Sequence, residues 1–282
     1  MSLPPYAGTG ERIWYYSYRV ICALIFLFLI FPIIVIVPLS FNAEPYFTFT
    51  KEMLTFDPAG YSLRWYRALL GSEEWLFSIR NSFIISISST IVATTLGTLA
   101  ALGLSRRHMP FRAAITAILI SPMIVPLIIT AAALFSFYAR VNLANTFFAI
   151  IMAHVVLGAP FVVITVTAAM SSFDEQLLRA SASMGANQVT TFFKIILPLL
   201  LPGVIAGALF AFITSLDEVV VVIFLAGPEQ TPMTVRMFSG LREEISPTIL
   251  ALASILVAFS VLLLTVMELL RRRGERLRGI KN

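Results

Sequence analysis

The sequence predicts an all-α integral membrane protein with six spanning helices. Hydrophobic residues make up 59% of the 282 and charged ones only 12%, about half the charged share of a soluble domain. The apolar residues fall into six runs, each near the roughly 20 residues that cross a bilayer as a helix. No polar block is large enough to fold separately in water, so residues 1–282 read as one transmembrane domain.

The first run covers residues 20–40. It is too long for a removed signal peptide and lacks a small-residue cleavage site, so it stays as an anchor. The second and third runs are 81–104 and 113–138, the fourth is 147–170, the fifth is about 197–225 and the sixth is 249–270. Pro32, Pro122, Pro126, Pro160, Pro198 and Pro202 interrupt them. Each removes a backbone donor and kinks its helix, which suits a bundle whose helices compensate one another around a path. Cys22 is the sole cysteine, so no internal disulfide is possible. Gly203 and Gly207 have the spacing of close helix packing. His154 lies within the fourth run with no carboxylate three or four residues away. It reads as a hydrogen-bonded packing histidine in preference to a proton relay.

Orientation follows from Lys and Arg in the connections. Six spans put both termini on one side. That side carries Arg12, Arg19, Arg106, Arg107, Arg112, Arg179, Lys194, Arg271, Arg272, Arg273, Arg276, Arg278 and Lys281, thirteen of the 20 basic residues. Both termini and the 171–196 connection are therefore expected in the cytoplasm, and the net charge of +5 reflects this bias rather than nucleic-acid binding. The external connection 41–78 carries Tyr46, Phe47, Phe49, Phe56, Tyr61, Trp65, Tyr66 and Trp75. These form an interfacial aromatic belt, a docking surface for an external protein, or both.

The stretch 174–202 is polar and helical between two apolar runs. Ser172 and Glu175 fit a capping box. The helix they open runs through Leu177, Leu178 and Ala180 to Met184, and Gly185 suits the left-handed turn that ends it. Asn187 caps the next turn, and Pro198 marks the start of the fifth run. A membrane protein that interrupts its spans with such a helix pair presents it to a partner.

Asp217 and Glu218 are adjacent carboxylates between apolar runs. A charge at mid-bilayer costs about 2.5–3.5 kcal/mol on insertion scales, so such residues face a cavity or lie at the external interface. Both line one path only if the helix breaks beside them.

Walker A is absent: Gly274 and Gly279 have its glycine spacing, but Ile280 stands in place of the lysine. There is no HExxH, no Cys/His cluster and no GxSxG elbow, and two histidines alone supply no zinc site.

The 174–202 stretch resembles the cytoplasmic loop of binding-protein-dependent ABC importer permeases. That family reads Glu-Ala-Ala, three residues, Gly, nine residues, Ile, one residue, Leu-Pro; Gly185, Ile195, Leu197 and Pro198 keep the spacing and Ala180 matches the first alanine. Arg179 stands where the family has Glu, and Ser181 replaces the second alanine. The resemblance implies a type I importer permease fold whose coupling helices dock on a separate ATPase. Arg179, Ala180, Gly185, Ile195, Leu197 and Pro198 then belong to the coupling loop. The run 212–227, with Thr231, Pro232, Met233, Ser246, Pro247, Ala251 and Leu252, resembles the spermidine/putrescine class of these permeases. Asp217 and Glu218 match its paired acidic residues in the substrate pathway.

The resemblance further implies an inner-membrane importer subunit moving a polyamine or related cation. It has no cofactor of its own, and ATP and Mg sit on two cytoplasmic ATPase subunits. Its other partners are a second permease in a heterodimer, an external solute-binding protein and membrane lipid, with no nucleic acid. Another small solute, such as an amino-acid derivative or opine, is the alternative. An intramembrane enzyme or an ATP-independent secondary transporter belongs to a different class; the former would need paired catalytic groups and the latter repeated halves.

Overall fold

The computed structural model describes residues 8–106, 108–171, 173–174, 176–243 and 246–277. These residues are helical and contain no strand, only an isolated bridge between Asn42 and Tyr61. Among the described residues five helices are long and apolar enough to cross a membrane, or six if one bent pair is counted as a single span. The chain divides into two compact units, Met1–Gly71 with Glu244–Phe259 and Ser72–Glu243 with Ser260–Asn282.

In the first unit α1 runs over Thr9–Leu39 and opens where the Gly8 amide donates to the Glu11 carboxylate at 3.1 Å. It is followed by α2 (Lys51–Leu54) and α3 (Arg64–Gly71). The buried Asn42 organises this connection. Its side-chain amide donates to the carbonyls of Tyr46 (3.1 Å) and Thr48 (3.0 Å), and its side-chain oxygen accepts from the Glu44 amide (2.9 Å). The Trp65 indole donates to the Asn42 carbonyl, the Tyr66 and Ser40 hydroxyls are bonded, and the Tyr61 hydroxyl donates to the Met53 carbonyl. Three of the aromatic residues thus brace the connection, while Tyr46 and Phe56 stay exposed.

The second unit contains α4 (Glu73–Leu104), α5 (Arg112–Ile120), α6 (Leu127–Arg140), α7 (Phe147–Ser171), α8 (Gln176–Ser183), α9 (Gln188–Thr191), α10 (Leu197–Asp217), α11 (Val220–Leu225) and α12 (Met233–Glu243). The last helix, α13, covers Thr248–Leu277. α4, α7 and α10 pack on one another around Ala93, Ala101, Val155, Val162, Val166, Leu200 and Ala211. Small residues set this close approach. A Cβ on Gly207 would lie 2.5 Å from Thr165 Oγ1 and 2.8 Å from Val162 Cα, and one on Gly203 would lie 2.7 Å from Ala169 Cβ. The GxxxG pair therefore faces α7, as small residues at membrane helix contacts do.

Two expected spans are corrected. The third is not continuous over 113–138: Arg112–Met123 and Leu127–Arg140 meet at 97°. Pro126 lacks an amide proton and pushes Val125 out of the helical region, so the chain turns between Pro122 and Pro126. The fifth does not continue to residue 225: α10 stops at Asp217, Glu218 is extended (φ −71°, ψ 124°), and α11 restarts at Val220. The β-branched run 219–222 is a weak helix former, and its amides find a partner in the Glu218 side chain.

The capping box of Ser172 and Glu175 falls on residues outside those described. Ahead of α8, Asp174 takes the capping role: its carboxylate accepts from the Gln176 amide at 2.8 Å.

Candidate functional site

The segment between α7 and α10 folds as its sequence dictates. At the end of α8, Gly185 has φ +76°. The Ala186 amide donates to the Ser181 carbonyl and the Gly185 amide to the Ala182 carbonyl, both at 3.0 Å. These two bonds make a Schellman motif centred on a left-handed glycine. Asn187 then caps α9, its side-chain oxygen accepting from the Thr190 amide at 2.8 Å. The turn from Phe192 to Ile196 is a π-helix leading into Pro198. A proline ring clashes with the carbonyl four residues before it, and a widened turn is one way a helix absorbs that.

Among the expected coupling residues, Arg179, Ala180, Gly185 and Pro198 are exposed, and Ile195 and Leu197 are half-buried. Met184 is 87% exposed, Val189 65% and Phe193 61%, an uncovered apolar surface on a polar segment. Sequence reasoning missed the bond that holds α8 to α9. The hydroxyls of Ser181 and Thr191, both buried, lie 3.1 Å apart, and Ser181 Oγ donates to the Leu178 carbonyl at 2.9 Å. The Ser181 proton is therefore committed, and Thr191 is the donor across the pair.

The structure separates the two carboxylates that the sequence placed side by side. Asp217 ends α10 and is exposed, whereas Glu218 is buried. Glu218 Oε1 accepts from the Val221 amide at 2.9 Å, and its carbonyl accepts from the Thr234 hydroxyl at 3.2 Å. Glu218 thus caps α11 and ties it to α12.

Two residues before Asp217, Ser215 Oγ lies 2.6 Å from His154 Nδ1 and 3.0 Å from Ser89 Oγ. Ser215 of α10 thus bonds both His154 of α7 and Ser89 of α4, while His154 Nε2 is buried with no partner among the described residues. The N-terminal half of α4 binds the segment after α11. Asn81 donates to the carbonyls of Glu229 (3.0 Å) and Thr231 (3.2 Å), and Ser82 Oγ accepts from the Met233 amide at 2.8 Å. Arg236 pairs with Glu74 and sits 5.3 Å from the Trp75 ring centre. A polar Asn-Ser pair in an apolar run was the only sequence signal for this clamp. Among the described residues, no three His, Cys, Asp or Glu side chains converge as metal ligands.

Comparison with known proteins places this architecture. Residues 93–276 match the family described as binding-protein-dependent transport system inner membrane component. The chain is 32% identical over 252 residues to the spermidine/putrescine transport system permease protein PotC of Haemophilus influenzae, covering 89% of this chain and 95% of that protein. It is 30% identical over 249 residues to the putrescine transport system permease protein PotI of Escherichia coli, covering 84% of each. The fold matches a chain of a bacterial ABC transporter involved in the import of the acidic polysaccharide alginate. That match has a TM-score of 0.73 at 16% identity and covers 94% of this chain and 99% of that one. A second structure of a bacterial alginate transporter, in complex with an alginate pentasaccharide-bound periplasmic protein, matches with a TM-score of 0.65 at 18% identity, covering 96% and 97%. The chain belongs to the family of inner-membrane components of binding-protein-dependent transport systems and is a permease subunit of an ABC importer.

Proposed function

We propose that this permease translocates a polyamine or a related cationic solute, with Asp217 as the carboxylate that meets it. The break at Glu218 carries this reading, because it leaves the Asp217 side chain exposed at the end of a membrane helix. A carboxylate offsets the desolvation of an ammonium group, and charge-assisted hydrogen bonds are about twice as strong as neutral ones. The Glu218 side chain, one residue away, holds the turn. The relatives named for spermidine and putrescine transport support the solute class.

The remaining assembly follows the family logic. The Schellman turn at Gly185 and the exposed Met184, Val189 and Phe193 form the surface that docks on the ATPase. Two ATPase subunits carry ATP and Mg, a second permease completes a heterodimer, and an external binding protein delivers the solute. Both termini and the 171–196 connection lie in the cytoplasm. A fluorescent reporter fused after Asn282 is expected to be bright, and an externally active phosphatase fused near Phe56 is expected to work.

The test is uptake by the complete transporter in proteoliposomes supplied with binding protein. Asp217→Asn keeps shape and removes charge. It is expected to lower putrescine or spermidine uptake by about tenfold or more, the factor that 1.4 kcal/mol represents, while basal hydrolysis persists. Normal uptake in this variant would place Asp217 outside the path. Transport of an anionic or neutral solute, with polyamines ignored, would overturn the solute class and leave the importer assignment standing.

A further inference from the structure

The end of α4, α5 and the last turns of α7 enclose a groove of about 570 Å³. Its walls include Leu104, Arg112, Thr116, Ile120, Ile164 and Thr167. We propose that this groove binds an anionic glycerophospholipid, with the lipid phosphate on Arg112 and an acyl chain along Leu104, Ile120 and Ile164.

The lining has the polarity of such a molecule. Its volume falls within the range of about 300–1,000 Å³ typical of small-molecule sites. Arg112 is exposed, and its guanidinium has no ion pair or hydrogen bond among the described residues. The Thr116 hydroxyl is committed to the Arg112 carbonyl at 2.8 Å, so the guanidinium is the polar group the groove leaves to a ligand. A purely apolar occupant would leave Arg112 unanswered. A small anion would answer Arg112 and leave the apolar wall uncovered. An amphiphile with one anionic head answers both, and basic pockets between membrane helices are a recurring mode of anionic-lipid recognition.

The position adds a consequence. Arg112 starts α5 beside the end of α4, and Thr167 lies one turn before Ser171, where α7 leads into the expected coupling segment. A lipid seated here braces the end of the bundle that carries that segment. The assignment does not depend on which solute the transporter moves.

The test uses the complete transporter, purified with its ATPase and washed in mild detergent, with retained lipid identified by mass spectrometry. Wild type is expected to retain phosphatidylglycerol in preference to phosphatidylethanolamine. Arg112→Gln, at an exposed position, is expected to leave assembly unchanged and to lower that preference by about fivefold, the weight of one basic residue near an anionic surface. Arg112→Lys is expected to keep most of it. Ile164→Trp fills the groove and is expected to lower retention of both lipids. Equal retention of the two lipids by wild type, or unchanged retention in Arg112→Gln, overturns the proposal. Capture of a polypeptide rather than lipid by a photo-crosslinker placed at residue 164 also overturns it, because the groove is then a subunit interface.

Discussion

The turn at Gly185 and the break at Glu218 both interrupt a helix, yet they are built from different sources. At Gly185 every partner lies within five residues: Ser181 and Ala182 carbonyls, the glycine itself and the Asn187 cap. A Cβ at Gly185 would meet nothing within 4 Å, so the requirement for glycine is one of backbone conformation alone. At Glu218 the local partner is the Val221 amide, and the second partner is Thr234, sixteen residues on and in another helix. That segment is in turn held to α4 by Asn81 and Ser82. One break is written locally and sits exposed where a partner protein can use it. The other is held by tertiary contacts and presents a single carboxylate.

The largest effect is expected where the tertiary support is removed. Glu218→Ala leaves the Val221 amide buried without an acceptor, a loss of about 1–3 kcal/mol. Thermal unfolding of the purified complex is expected to shift down accordingly, with loss of uptake. Glu218→Gln keeps a side-chain oxygen and is expected to retain most of the stability. An equal loss in both variants would mean that the charge rather than the acceptor holds the break.

The local turn is tested by conformation. Gly185→Val forces a β-branched residue into the left-handed region, at a cost of about 1–2 kcal/mol. Membrane insertion is expected to be unchanged, while co-purification of the ATPase and solute-stimulated hydrolysis fall. Gly185→Asn is the sharper variant, because asparagine also serves at this helix-end position; it is expected to recover most of the coupling. If valine and asparagine behave alike, the left-handed turn is not what the partner requires. Asn187→Ala removes the adjacent cap and is expected to cost about 1 kcal/mol, with a proportionate loss of ATPase affinity and no change in insertion.

The same contrast explains what the sequence could reveal. The spans were legible because apolar runs of bilayer length have few other uses. The Gly185 turn was legible because glycine, asparagine and proline carry their conformational preferences with them. The 97° bend between α5 and α6 was only half legible: Pro122 and Pro126 announce a break, but its angle depends on what the two helices pack against. The fates of Asp217 and Glu218 were not legible. Their side chains are nearly alike chemically, and only the position of Val221 and Thr234 decides which is buried. Nor does a serine-threonine pair ten residues apart announce a bond until two helices fold back on each other.

That last pair gives the smallest effect. Ser181 stands where the permease family carries alanine, so the family's loop holds its shape without a hydroxyl there. Here the Ser181 proton goes to the Leu178 carbonyl, and its oxygen accepts from Thr191. Ser181→Ala removes that acceptor from a buried donor, and a typical net hydrogen bond is worth about 0.5–1.5 kcal/mol. Part of this is recoverable, because a threonine in a helix can turn its hydroxyl to the carbonyl four residues back, here that of Asn187, which already accepts from the Thr191 amide at 2.9 Å. Ser181→Ala is therefore expected at the lower end of the range. Thr191→Val is expected to cost slightly more, because it leaves the Ser181 oxygen without its donor. The double variant is expected to cost less than the sum of the two. Measured as the affinity of the permease for its ATPase in a double-mutant cycle, additive losses would show that the hydroxyl pair does not hold α8 against α9.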